Sequence, residues 1–174
     1  NTAPVSDPLS LTLSEDSIFS NSLSGSDAEG DTLTYTIDSL PVNGTLSVTA
    51  TGVFTYTPNA NYYGSDSFTY HVSDAMFSSV VSTVTLTING VNDAPVAQTG
   101  ITLSVSGNTL GNSGYTLTGM LSATDIDSLA LTYSASTLPT HGTLVLDSSG
   151  SYIYQPALGY TGTDSFSFVA LDPF

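Results

Sequence analysis

The chain contains neither lysine nor arginine. Nucleic-acid binding through phosphate neutralisation depends on those side chains, so that class of partner is excluded. Docking on anionic lipid needs them too. Cysteine is also absent, which removes disulfide frameworks and thiolate metal sites. No apolar run of about 18 residues occurs, so no membrane insertion by a spanning helix is expected. The sequence begins without an initiator methionine or a leader, and we expect a mature product or a fragment.

What is present favours strands. Serine and threonine make up roughly a third of the 174 residues, and tyrosine and phenylalanine are well represented. Fifteen acidic residues face no basic ones, giving a formal charge of −15. Acid–base ion pairs are limited to the two histidines and the amino terminus. Either the acids serve solubility or bound cations neutralise them, and their positions decide between the two.

The chain repeats itself. Residues 27–74 realign without a gap on 125–172, a constant shift of 98 positions, and roughly 18 of the 48 pairs are identical. Leu33-Thr34-Tyr35 recurs as Leu131-Thr132-Tyr133, and Gly44-Thr45-Leu46 as Gly142-Thr143-Leu144. Tyr56-x-Pro58 recurs as Tyr154-x-Pro156, and Asp66-Ser67-Phe68 as Asp164-Ser165-Phe166. This period exceeds solenoid units of about 20–50 residues. It suits a whole small β-domain. We therefore expect two domains, 1–91 and 92–174.

Period-two alternation marks seven strands in the first domain. They centre on Leu9/Leu11/Leu13, 18–23, Leu33/Tyr35/Ile37, Leu46/Val48, Phe54/Tyr56, Phe68/Tyr70/Val72 and Val84/Leu86/Ile88. Seven short strands with regular turn signals predict an immunoglobulin-like β-sandwich. The second domain repeats the scheme from Ile101/Leu103/Val105 to Phe166/Phe168, with about seven extra residues at 107–114. It has no counterpart of the last strand, because only Pro173 and Phe174 follow Asp172. That leaves an unpaired edge, explained by truncation or by strand donation from another molecule.

Alternate loops of a sandwich lie at opposite ends. Asp27, Glu29, Asp31 and Asp74 fall at the leading end of domain one. Asp125, Asp127 and Asp172 take the same places in domain two. Glu15, Asp16 and Asp66 fall at the trailing end of domain one, next to the linker Asn92-Asp93. Clustered carboxylates without cations repel by a few kcal/mol at an effective dielectric near 20. An all-oxygen donor set points to a hard ion, Ca²⁺ before Mg²⁺.

The run SEDS…SGSDAEGDTLTYTI…NGTL…GVFTYTPNANYYGSDSFTYHVSD…VTLTINGVNDAP resembles the bacterial cadherin-like repeats, of the tandem or VCBS type, of long surface and secreted proteins. The resemblance covers domain one and most of domain two. It implies an extracellular array stiffened by Ca²⁺ at domain boundaries, with neighbouring repeats or subunits as partners. By the same resemblance, Asn92, Asp93, Asp125 and Asp127 are junction ligands, joined by Glu15 and Asp172. Asp66 matches the family's trailing acidic motif only loosely. Asp27, Glu29 and Asp74 form a second site, completed by a preceding linker of which residues 1–4 are the tail. Gly90 stands where the family has an acid, and NDAP is one residue short of NDNAP, which reduces the expected ion count.

Other polar residues read as structural. His71 alternates with core positions and should face solvent; His141 sits in a turn. Neither has a nucleophile beside it, and we expect no enzyme. Asn43-Gly44-Thr45 fits a glycosylation sequon but reads better as a turn. Tyr62, Tyr63 and Tyr160 could stack on sugars, yet plugging the sandwich end suits them better. The expected role is an extracellular adhesive or structural repeat. A filament subunit polymerising by strand donation and a carbohydrate-binding module are the alternatives. A cell-surface glycan or protein is left open as a further partner.

Overall fold

The computed structural model describes residues 1–98, 101–106 and 115–174. The expected insertion at 107–114 lies outside the described residues. These contain strands and turns and no helix. The chain divides into two compact units, Asn1–Val91 and Asn92–Phe174.

The first unit is a two-sheet sandwich. One sheet runs in the order β2 (Leu9–Ser14), β9 (Ser82–Asn89), β8 (Gly64–Ser73), β5 (Thr34–Ser39). The other runs β3 (Phe19–Ser22), β7 (Val53–Pro58), β6 (Gly44–Val48). Strand β9 shows why the sequence folds this way. Ser82, Val84, Leu86 and Ile88 are buried, while Thr83, Thr85, Thr87 and Asn89 are exposed. Both sets are rich in β-branched residues, which suit a pleated surface with one buried face. Tyr56, Phe68, Tyr70, Val72, Val84 and Leu86 are wholly buried. Phe54 meets Phe68 edge to face across the two sheets, with centroids 5.4 Å apart.

Two details depart from the simple seven-strand reading. The first strand is preceded by a short pair, β1 (Val5–Ser6) with β4 (Gly25–Ser26). The chain then breaks at Pro8, which has no N–H to donate, and continues as β2, parallel to β9. The Tyr70 hydroxyl braces this break, lying 2.5 Å from the Asp7 carbonyl and 2.6 Å from that of Ser24. The second expected strand is also shorter than 18–23: β3 spans Phe19–Ser22, and Ile18 is exposed.

The second unit repeats most of this plan. The pair β10 (Val96–Ala97) with β13 (Ala123–Thr124) matches β1 with β4. The sheet β12 (Leu117–Met120), β16 (Ser151–Pro156), β15 (Gly142–Leu146) matches β3, β7, β6. Tyr152 meets Phe166 at 5.3 Å, as Phe54 meets Phe68. Strand β14 (Thr132–Thr137) pairs with β18 (Ser167–Leu171), and its irregularity between Ala135 and Thr137 repeats that between Ile37 and Ser39 in β5. The remaining pair, β11 (Leu103–Val105) with β17 (Gly162–Asp164), has no antecedent in the first unit.

Phe68 carries the most direct test of this core. Phe68→Ala should lower unfolding free energy by about 3–5 kcal/mol through the cavity it leaves, measured by urea denaturation followed through tyrosine fluorescence.

Candidate metal centres at the domain ends

The leading end of the first unit gathers three carboxylates. Asp27, Asp31 and Asp74 offer oxygens that all lie within 4.8 Å of one another. Oxygens each about 2.4 Å from one Ca²⁺ are at most about 4.8 Å apart, so this group can share an ion. Local hydrogen bonding sets the aim of each side chain. Asp27 Oδ1 accepts the backbone amides of Glu29 and Asp31, both at 2.9 Å. That folds the loop around one oxygen and leaves Asp27 Oδ2 buried without a hydrogen-bond partner. Asp74 Oδ1 accepts the amides of Met76 and Phe77, both at 2.7 Å. Ala75 adopts a left-handed backbone, φ 80°, to present them. Asp74 Oδ2 accepts the Asn1 side-chain amide at 3.0 Å. The Phe77 amide, against the opposing pull of burial and with help from Met76 and Asn1, holds the Asp74 carboxyl below the usual range.

Glu29, expected as a ligand here, is turned elsewhere. Its Oε2 accepts the Thr2 backbone amide and hydroxyl at 3.1 and 2.9 Å. Asp31 stands in the cluster in its place. Sequence spacing does not tell which acid of this loop stands beside Asp27 and Asp74.

The second unit repeats much of this arrangement. Asp125 Oδ1 accepts the amides of Asp127 and Ser128 at 2.8 and 2.7 Å. Asp125 Oδ2, like that of Asp27, is buried without a hydrogen-bond partner. The Asn92 amide donates to Asp172 Oδ2 at 2.9 Å, as Asn1 does to Asp74. That bond, with the Phe174 amide, holds the Asp172 carboxyl below its usual range. The Asp93 amide donates to Asp127 Oδ2 at 2.8 Å, as Thr2 does to Glu29. The position matching Asp31 is Leu129, which is fully exposed. Only Asp27, Asp31 and Asp74 form a cluster of three among the described residues.

At the trailing end of the first unit, Glu15 is 3% exposed. Its Oε1 accepts the Val91 amide at 2.7 Å, and its Oε2 is buried without a hydrogen-bond partner. Asp16 instead accepts the Asn61 amide at 3.0 Å.

Asp66, expected among these ligands, faces inward from the sheet. Its Oδ1 accepts the amides of Val42 and Ser67, and its Oδ2 accepts the Asn43 amide and the Tyr56 hydroxyl, the last two at 2.8 Å. Asp164 repeats the arrangement with Thr140, Ser165, His141 and Tyr154. Burial pushes the Asp164 carboxyl up. The His141 amide, the Tyr154 hydroxyl and the Thr140 and Ser165 amides outweigh it and hold the group at about 2. The glycine after each turn is obligatory. A Cβ on Gly44 would lie 2.6 Å from the Tyr56 ring and the Thr57 carbonyl, and one on Gly142 would lie 2.5 Å from their counterparts Tyr154 and Gln155.

The remaining polar residues are occupied structurally. His71 Nδ1 lies 2.9 Å from Asp38 on the outer face, so it is paired rather than free. Asn43 donates to the Tyr62 hydroxyl, which itself donates to the Ser65 carbonyl. Tyr160 stacks on His141 at 4.3 Å and donates to Thr163. Among the three loop tyrosines proposed for sugar stacking, Tyr63 alone is largely exposed.

The bacterial cadherin-like domain model matches residues 1–90 and again 92–174. The chain therefore belongs to the bacterial cadherin-like domain family, as two tandem copies. Cadherin-like domains are typically non-enzymatic structural and adhesive modules, and they generally bind Ca²⁺. Among solved structures, human protocadherin-24 EC1-2 is similar at 21% identity, TM-score 0.60, over 98% of this chain and 96% of that one. A second crystal form of it is similar at 17% identity, TM-score 0.63, over 100% and 96%. Drosophila N-cadherin EC1-4 is similar at 16% identity, TM-score 0.56, over 97% of this chain and 48% of that one. At such identities the likeness establishes a shared all-β fold. No curated protein matches the chain.

The depressed acidity of Asp164 fixes the sign of a pH effect. Its folded value, about 2, lies below the ordinary carboxyl value near 3.9 of an unfolded chain. The stabilisation is therefore complete above about pH 4 and disappears as pH falls towards about 2. Asp164→Asn should cost about 1–3 kcal/mol at neutral pH. Relative to wild type, its stability should vary less between pH 4 and 2, measured by urea denaturation across that window.

Proposed function

We propose that the chain is an extracellular adhesive or structural segment in which Ca²⁺, held by carboxylates at the domain ends, limits bending between successive modules. The observation that carries this reading is the repeated orphan oxygen. Asp27 and Asp125 each spend one oxygen on folding their loop and bury the other without a hydrogen-bond partner. A buried carboxylate oxygen left unsatisfied is costly, and a cation removes the cost. The chain supplies no lysine or arginine to do so, and the donors are all oxygen, which suits Ca²⁺.

In this reading Asp27, Asp31 and Asp74 hold an ion at the leading end of the first unit. Asn92, Asp93, Asp125, Asp127 and Asp172 contribute to a second at the leading end of the second unit, and Glu15, at the trailing end of the first, is a further candidate ligand through its buried Oε2. With Leu129 in place of Asp31, the second unit lacks one of the carboxylates that the first supplies from this loop. Asp66 is left out of the ligand sets because both of its oxygens are engaged within the sheet, and Asp31 rather than Glu29 stands with Asp27 and Asp74. A localisation outside the cell fits: extracellular modules bind Ca²⁺ at about 10⁻⁴–10⁻³ M.

The test is a thermal melt with parallel small-angle scattering, from chelator to about 10 mM Ca²⁺. Occupancy at that level should stabilise the folded chain by about 1.4–2.7 kcal/mol per site, raise the melting temperature and extend the particle. Asp27→Asn with Asp31→Asn should remove the first unit's share, whereas Asp38→Asn, outside the cluster, should leave the response intact. Superimposable melts and scattering with and without Ca²⁺ would refute the reading.

A further inference from the structure

The chain contains two Asn-Gly pairs, Asn43-Gly44 and Asn89-Gly90. In such a pair the glycine nitrogen can attack the asparagine side chain, because no Cβ shields it. The fold treats the two pairs differently. Asn43 is held at three points. Its backbone amide donates to Asp66 Oδ2 at 2.8 Å, its carbonyl accepts the Asn59 amide at 2.8 Å, and its side-chain amide donates to the Tyr62 hydroxyl at 2.9 Å. Gly44 is walled in by the Tyr56 ring and the Thr57 carbonyl, so the fold itself demands glycine there.

Asn89-Gly90 has none of these restraints. Asn89 is the last residue of β9, and both it and Gly90 are exposed. Among the described residues, neither the Asn89 side chain nor the Gly90 amide makes a hydrogen bond. The fold does not require a glycine at this position. A Cβ on Gly90 would meet Glu15 Oε1 at 3.5 Å and the Tyr63 ring at 3.7 Å, which are ordinary contacts, and its φ lies outside the left-handed region. What glycine adds here is chemical: an unshielded, unbonded nitrogen next to an unbonded carboxamide.

We propose that Asn89-Gly90 is a self-modification site, at which the folded chain deamidates. The Gly90 nitrogen forms a bond to Asn89 Cγ, the Cγ–Nδ2 bond breaks, and the displaced nitrogen leaves as ammonia with the Gly90 amide proton. Water then opens the cyclic imide at either carbonyl, giving aspartate or isoaspartate. Strand ends open at the lowest free energy, so the last residue of β9 can leave its extended conformation to cyclise. Either product adds one negative charge to a chain already at −15. That charge falls beside Glu15, whose backbone amide donates to the Asn89 carbonyl at 3.0 Å. Isoaspartate also lengthens the main chain by a methylene. This disturbs the rung between Ser14 and Asn89 and the approach of the Val91 amide to Glu15. The proposal does not rest on calcium.

Incubation of the full chain in mildly alkaline buffer, with chymotryptic peptide mapping by mass spectrometry, tests it. In the folded chain Asn89 should convert at least about tenfold faster than Asn43, with isoaspartate identified by an isoaspartyl methyltransferase. In urea the two rates should converge, because the fold sets the difference. Gly90→Ala, for which the site has room, should slow conversion at position 89 at least about tenfold and leave the thermal melt unchanged. Four results would overturn the proposal: no conversion of Asn89 in the folded chain, conversion of Asn43 at an equal rate, a selectivity that persists in urea, or a Gly90→Ala variant that converts as fast as wild type.

Discussion

A fold without lysine or arginine must satisfy every buried carboxylate by other means, and that constraint organises both units. The sharpest instance is the pair Asp66 and Asp164. Each carboxylate takes three backbone amides and one tyrosine hydroxyl. Charge-assisted bonds of this kind are roughly twice as strong as neutral ones. Together they join the turn before one strand, the middle of a second and the start of a third. Tyr56 and Tyr154 can reach in only because Gly44 and Gly142 leave room for their rings. The Asn-Gly and His-Gly turns, the Tyr-x-Pro motifs and the Asp-Ser-Phe motifs are thus parts of one device.

The carboxylates at the domain ends follow a different logic. Asp27 and Asp125 each organise their own loop through one oxygen and hold the other in reserve. A self-satisfied acid such as Asp66 stabilises a single module. A half-satisfied one leaves a buried oxygen without a hydrogen-bond partner. The division between the two classes was made by local geometry rather than by residue type.

Much of the architecture was legible in the sequence, because alternation and repetition are both local signals. Strands β5 to β9 follow directly from the period-two pattern, and the loops carrying Asp27, Asp74, Asp125 and Asp172 follow from strand order. What could not be read was side-chain direction within a loop. Glu29 and Asp31 lie two residues apart, and the amide and hydroxyl of Thr2, distant in sequence, engage Glu29. Asp66 looked like a loop acid, but its opposition to Leu86 in the ladder sends it inward.

The parallel pairing of β2 with β9 has a mechanical consequence. The two strands lie near opposite ends of the first unit's sequence and are joined by six consecutive rungs, from Leu9 with Val84 to Ser14 with Asn89. Tension applied through the two ends of that unit slides these strands lengthwise against each other. All six rungs then bear load together, instead of opening one at a time like a zip.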